Sequence, residues 1–109
     1  MTYKEVAAMV KSFGLPYAYY QFGEGSGQQC PFVVFYYPSR DDFVADGVNY
    51  LKKATLTIEL YTDSKDFSQE AIIEGILEAQ ELAYTKEETY IDSEKMFEVI
   101  YQMEVCING

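Results

Sequence analysis

Eight consecutive residues, Ala54-Thr55-Leu56-Thr57-Ile58-Glu59-Leu60-Tyr61, constrain this chain more than any other segment. Leu56, Ile58 and Leu60 fall on one side of an extended backbone, and Thr55, Thr57, Glu59 and Tyr61 fall on the other. Such a strand needs a layer to cover its aliphatic side, while its polar side faces water or a partner. The covering layer is visible elsewhere in the chain. Val6, Val10 and Phe13 recur at helical spacing, and Thr2 with Glu5 makes a capping box ahead of them. Gly14 and Pro16 then close a helix over Thr2–Phe13. A second helix runs from Asp66, which forms a capping box with Gln69, to about Ala83. Its apolar face holds Ile72, Ile73, Ile76, Leu77, Ala79 and Ala83, and Glu70, Glu74 and Glu78 follow one another along the opposite side. Gly75 sits mid-helix, where close packing is one use for it.

The remaining segments read as strands and turns. Tyr17–Phe22 is an aromatic strand between Pro16 and Gly23, and the glycine-rich stretch from Gly23 to Gln29 is a mobile hairpin tip. That stretch lacks the lysine and the following helix that a phosphate cradle requires. Phe32-Val33-Val34-Phe35-Tyr36-Tyr37 is apolar throughout, as in a strand covered on both faces or lying at a subunit interface, and Pro38 is expected to end it. Ser39 to Asn49 reads as a long polar loop; Asp41, Asp42 and Asp46 in it do not match the alternating spacing of calcium ligands. Tyr84–Ile91 and Met96–Val105 form a C-terminal hairpin around the turn Asp92–Lys95. The predicted order is α-β-β-β-α-β-β. It describes a single α+β domain over residues 1–109, with a mostly antiparallel sheet and two helices packed on one face.

Composition narrows the function. The chain has no His, which removes imidazole catalysis and imidazole metal sites. Cys30 and Cys106 stand far apart without a CxxC and read as free thiols. No carboxylate pair, hydroxyl or lysine sits in a pattern that meets the geometry of catalysis, so the chain is read as a non-enzyme without cofactor or metal. No basic segment with an apolar run marks a secretory signal, and no apolar run reaches the length of a membrane span.

Charge and aromatics divide the chain in two. The first 58 residues hold five acids and five bases; the remainder holds thirteen acids and three bases, the entire net charge of −10. Tyr17, Tyr19, Tyr20, Tyr36, Tyr37 and Phe43 lie in the neutral part. Tyrosine suits association surfaces because it joins apolar bulk to a polar tip. Phe32, Phe35, Tyr36, Tyr37, Arg40, Phe43 and Asp46 are therefore candidate interface residues. Glu70, Glu74, Glu78, Glu87 and Glu88 are candidates for an acidic surface that repels a passing polyanion. An acidic decoy that mimics DNA and inhibits a nucleic-acid-binding protein is the alternative use of that charge.

Five stretches carry a family resemblance: Gly14-Leu15-Pro16-Tyr17-Ala18-Tyr19, Pro31 to Tyr36, Phe43-Val44-Ala45-Asp46-Gly47, Ile58 to Asp63, and Ser93 to Tyr101. With them the chain resembles head–tail joining proteins of long-tailed phages and prophages of Gram-positive bacteria, in particular the tail terminator (tail-completion) proteins. The resemblance implies a homo-oligomeric ring, commonly a hexamer, on the head-proximal end of the tail tube. Such a ring stops tube growth, meets the head connector and lets DNA pass without binding it specifically. It would assemble in the host cytoplasm and end in the virion, with no membrane partner. The resemblance assigns no individual functional residue.

Overall fold

The computed structural model describes residues 1–23 and 27–108; residues 24–26 of the expected glycine-rich tip lie outside them. The elements run α1 (Tyr3–Lys11), β1 (Tyr17–Tyr19), β2 (Phe32–Arg40), β3 (Phe43–Ala45), β4 (Val48–Thr62), α2 (Phe67–Ala79), β5 (Tyr84–Ile91) and β6 (Met96–Ile107). This is the expected α+β domain with one short strand, β3, added to the predicted order. The main sheet is ordered β1-β2-β4-β6-β5, and β3 pairs with the first residues of β4. All pairings are antiparallel except β1–β2, which is parallel, so these two strands do not form the hairpin expected around the glycine-rich stretch.

Register explains the core. Val33 faces Leu60 and Phe35 faces Ile58 across β2–β4. Leu56 faces Met103, Ile58 faces Tyr101 and Leu60 faces Val99 across β4–β6. These side chains share one face, and both helices cover it: Val6, Met9, Val10 and Phe13 come from α1 and its C-terminal turn, Ile73 and Leu77 from α2. Burying this aliphatic layer is the main stabilising contribution, at roughly 2 kcal/mol for each large side chain. Thr2 and Glu5 form the expected capping box, with Thr2 N–H donating to Glu5 Oε1 at 2.9 Å and Glu5 N–H to Thr2 Oγ1 at 3.0 Å.

Several expectations are corrected. β1 stops at Tyr19 because Tyr20 takes a left-handed backbone (φ 69°) and donates its N–H to the Phe35 carbonyl at 2.8 Å. Pro38 does not end β2. The register shifts between Tyr36, opposite Thr57, and Ser39, opposite Thr55, so one extra residue bulges there and proline's missing N–H goes unneeded. The Ser39–Asn49 segment is no loop: Phe43–Ala45 and Val48–Leu51 form a hairpin about Asp46-Gly47, both at positive φ (52° and 74°), as a tight hairpin turn demands. Helix α2 ends at its cap Gln80 with Glu81 left-handed (φ 58°), short of Ala83. Its start shows half of the expected capping box, Gln69 N–H donating to Asp66 Oδ1 at 3.0 Å. A Cβ on Gly75 would meet nothing within 4 Å, so no close packing requires that glycine.

Candidate functional site

The bulge at Tyr37-Pro38 sets the first feature. In an unbroken strand Arg40 would share a face with Tyr36. The extra residue reverses the parity, and Arg40 pairs with Ala54 on the face that α1 covers. Arg40 thus joins Tyr37 and Phe35 in a groove of about 560 Å³ lined by Tyr3 and Ala7 of α1, Tyr19 of β1, Phe35, Tyr37, Ser39 and Arg40 of β2, and Ala54 of β4. Aromatic edges build its walls: Tyr3 meets Tyr37 at 5.1 Å between ring centroids and Tyr19 meets Phe35 at 5.3 Å, both edge-on. Burial pushes the Tyr37 hydroxyl up to about 12.

The β3–β4 hairpin rises from the same end. Asp42 fixes its root. One carboxylate oxygen accepts from Arg40 Nε at 3.1 Å, Arg40 Nη2 at 2.9 Å and Asn49 Nδ2 at 2.8 Å, and the other accepts from the Lys53 backbone N–H at 3.2 Å. Beyond that root the ribbon is apolar and uncovered. Phe43, Val44, Val48, Tyr50 and Leu51 are each between 44% and 68% exposed, far more than folding alone would leave on a two-stranded ribbon.

The sheet face away from the helices carries a second cluster. Phe32 stacks on Tyr61 at 4.8 Å, and Tyr20 meets Tyr36 edge-on at 5.4 Å. The Tyr61 hydroxyl lies between two carboxylates, 2.7 Å from Glu98 Oε2 and 3.1 Å from Glu59 Oε2. Glu59 is only 9% exposed and has no cation beside it among the described residues. Burial first, then hydrogen bonding and repulsion from Glu98, pushes its carboxyl up to about 7. Burial and the Glu98 carboxylate push the Tyr61 hydroxyl above the ordinary tyrosine range.

The acidic part of the sequence supplies the last residues of β4 and all of α2, β5 and β6, the last of which runs back to the hairpin root, where Ile107 pairs with Lys52. Here the candidate acids separate. Glu70 is 2% exposed, because it precedes Ile73 by three residues and Leu77 by seven and so lies on their stripe. Two partly exposed lysines reach in to it: Lys65 Nζ at 2.6 Å and Lys86 Nζ at 2.8 Å. Lys86 also meets Glu74 at 2.8 Å, and Tyr101 donates its hydroxyl to Glu74 at 2.6 Å. The Glu70 and Glu74 carboxylates hold the Lys86 ammonium above the usual lysine range. Burial works to raise the Glu74 carboxyl, but Lys86 and Tyr101 outweigh it and hold the group low.

The sequence candidates are therefore redistributed. Arg40, Phe43 and Asp46 come together on or at the root of the exposed hairpin. Tyr37 lines the groove, while Phe32 and Tyr36 are half-buried on the far sheet face. Phe35 is 6% exposed and belongs to the core, so it drops out of the interface set except as groove floor. Glu70 leaves the acidic surface for the interior. Glu74 is half-buried and ion-paired, and Glu78 is exposed with its carboxylate accepting from Tyr84 at 2.8 Å. Glu87 and Glu88, adjacent on β5, point to opposite faces, with Glu88 paired to Lys65. Sequence reasoning missed Val44, Val48, Tyr50 and Leu51, although the Asp46-Gly47 pair between two apolar runs signals a hairpin. It also missed Glu59 with Glu98, which only the β4–β6 register brings together.

Among the described residues no three Cys, Asp or Glu side chains gather to hold a metal ion, and no helix is long and apolar enough to cross a membrane. No known protein family and no curated protein matches the chain in sequence.

Proposed function

We propose that the chain is a structural protein of a phage head–tail junction, a tail terminator that closes the tail tube as a ring of identical copies and leaves a passage for DNA. The supporting observation is the apolar, uncovered β3–β4 hairpin, which belongs to the neutral first 58 residues, whereas the remainder of the chain holds the whole net charge. A protein that works alone gains nothing from exposing Phe43, Val48 and Tyr50; one that works by contact between copies needs such a surface. The acidic remainder then stays free to face DNA phosphates without holding them.

Deleting the gene from its phage tests this reading. The expected result is tails of uncontrolled length that fail to join heads. Tails of normal length that carry heads would overturn it.

An acidic decoy for a nucleic-acid-binding protein is the second reading, favoured by exposed Glu78, Glu81, Glu87, Glu94 and Glu104. It is the weaker one. Glu70 and Glu74 are neutralised by ion pairs with Lys65 and Lys86, which breaks the row of charges along α2 that a phosphate mimic would present.

A further inference from the structure

The reading above calls for contact between copies without naming the surfaces that meet, and the following inference rests on that reading. Residues Val48–Leu51 pair only with β3, whereas Lys52 onward pairs with β6. The hairpin tip is thus a two-stranded ribbon outside the sheet, and its exposed apolar residues lie on both of its faces. A ribbon of this kind is stabilised by cover from two sides, as a groove supplies and a flat patch does not.

We propose that the β3–β4 hairpin of one copy inserts into the groove between α1 and β1–β2 of the next copy, linking copies head to tail. Three observations identify a second copy as the occupant. The first is chemical match. The groove offers Tyr3, Tyr19 and Tyr37 ring surfaces, and its volume of about 560 Å³ has room for the aromatic side chains that the hairpin presents, Phe43 and Tyr50.

The second is charge. Arg40 directs two N–H donors, Nε and Nη2, at Asp42, and a guanidinium carries five. Its side chain is 42% exposed on the rim of the groove. The hairpin tip carries Asp46, which makes no ion pair among the described residues. With Asp42 and the Tyr3 hydroxyl as its partners within the chain, the guanidinium still has donors to offer a carboxylate at the tip of another copy.

The third is the placement of like charge. Hairpin and groove both belong to the neutral first 58 residues, so this contact brings two copies together without setting one acidic part against another. Donor and acceptor are different surfaces of one chain. The contact is therefore heterologous, and it closes into a ring or runs on as a filament instead of stopping at a symmetric pair.

The test pairs two single-surface variants. Phe43→Ser with Tyr50→Ser disables the hairpin and leaves the groove intact. Ala7→Glu disables the groove and leaves the hairpin intact, with Tyr19→Ala as its substitute should thermal melting show that Ala7→Glu does not fold. Masses are read by sedimentation velocity. The wild-type chain is expected to form multi-copy species as concentration rises, each variant to remain a single copy, and a one-to-one mixture of the two to give a two-copy species. Asp46→Lys in the wild-type background should weaken association about tenfold.

A mixture that stays single-copy overturns the head-to-tail arrangement and points to hairpin meeting hairpin. Variants that associate as well as wild type overturn both surfaces while leaving ring formation standing. A wild-type chain that remains a single copy at millimolar concentration overturns the docking itself. The tail-terminator reading is judged apart from all three by the gene deletion.

Discussion

Glu59 is the residue whose position is hardest to justify by stability. It is nearly buried on a sheet face that no helix covers, beside a second carboxylate, and its nearest compensation is the Tyr61 hydroxyl. A group in this position holds its proton more tightly in the folded chain than in the unfolded one, here to about 7 against an ordinary 4.5. Where both states are protonated, below about pH 4.5, the difference contributes nothing. As pH rises from there through about 7 the unfolded chain releases the proton first, and the folded state loses stability. Glu59→Gln keeps the shape and removes the titration. Its melting temperature is expected to exceed that of wild type at pH 8, and the gap is expected to close near pH 4. A gap of the same size at both pH values would refute the role given to Glu59. The effect at pH 8 is expected to be on the order of 1–3 kcal/mol. The same comparison shows what a sequence can carry at this scale. Alternation along β4 placed Glu59 and Tyr61 on one side, but nothing in the letters placed Glu98 opposite Tyr61, because register belongs to the pairing of two strands and not to either one alone.

Elements were legible wherever a single period governed them. The β4 alternation, the α1 stripe with its capping box and the C-terminal hairpin all follow from local pattern. Legibility failed where two signals competed. Pro38 is a strand breaker by composition, yet at a bulge its missing N–H costs nothing, and β2 continues to Arg40. Asp41, Asp42 and Asp46 gave the next segment a polar look that hid the apolar hairpin around Asp46-Gly47. In α2 the four-residue spacing of Glu70, Glu74 and Glu78 set Glu70 opposite the apolar stripe, yet the fold buries it beside Ile73 and Leu77, and only Lys65 and Lys86, from outside the helix, explain how it is tolerated there. Gly75 gives the clearest forecast at this scale. It is exposed in the helix interior, and an added methyl would touch nothing within 4 Å. Gly75→Ala is expected to stabilise the domain by about 1 kcal/mol, since it restricts the unfolded chain and favours the helix. For a domain of this size that is a rise of about 5 °C in melting temperature, readable by circular dichroism. An unchanged or lowered value would refute the reading that Gly75 stands clear of its neighbours in the folded chain.

At the scale of the whole molecule, charge and apolar surface pull on association in opposite directions. Each copy carries −10, so two copies repel at long range, while the hairpin and groove attract only on contact. Salt shortens the reach of the repulsion to about 10 Å at 0.1 M and leaves apolar burial intact. The Asp46–Arg40 contact would weaken in salt as well, but it is one exposed pair against the net charge of two whole molecules. Self-association through the neutral part should therefore tighten as sodium chloride is added, by about threefold or more between ~0.05 and ~0.5 M, measured by sedimentation equilibrium. A decoy makes the reverse forecast. Its affinity comes from acids meeting a basic groove, and screening removes that attraction steeply. The sign of the salt dependence separates the two readings without knowledge of any partner. Copies that dissociate as salt rises would show that charge pairing holds them together, and the neutral part would lose its claim as the surface that joins them.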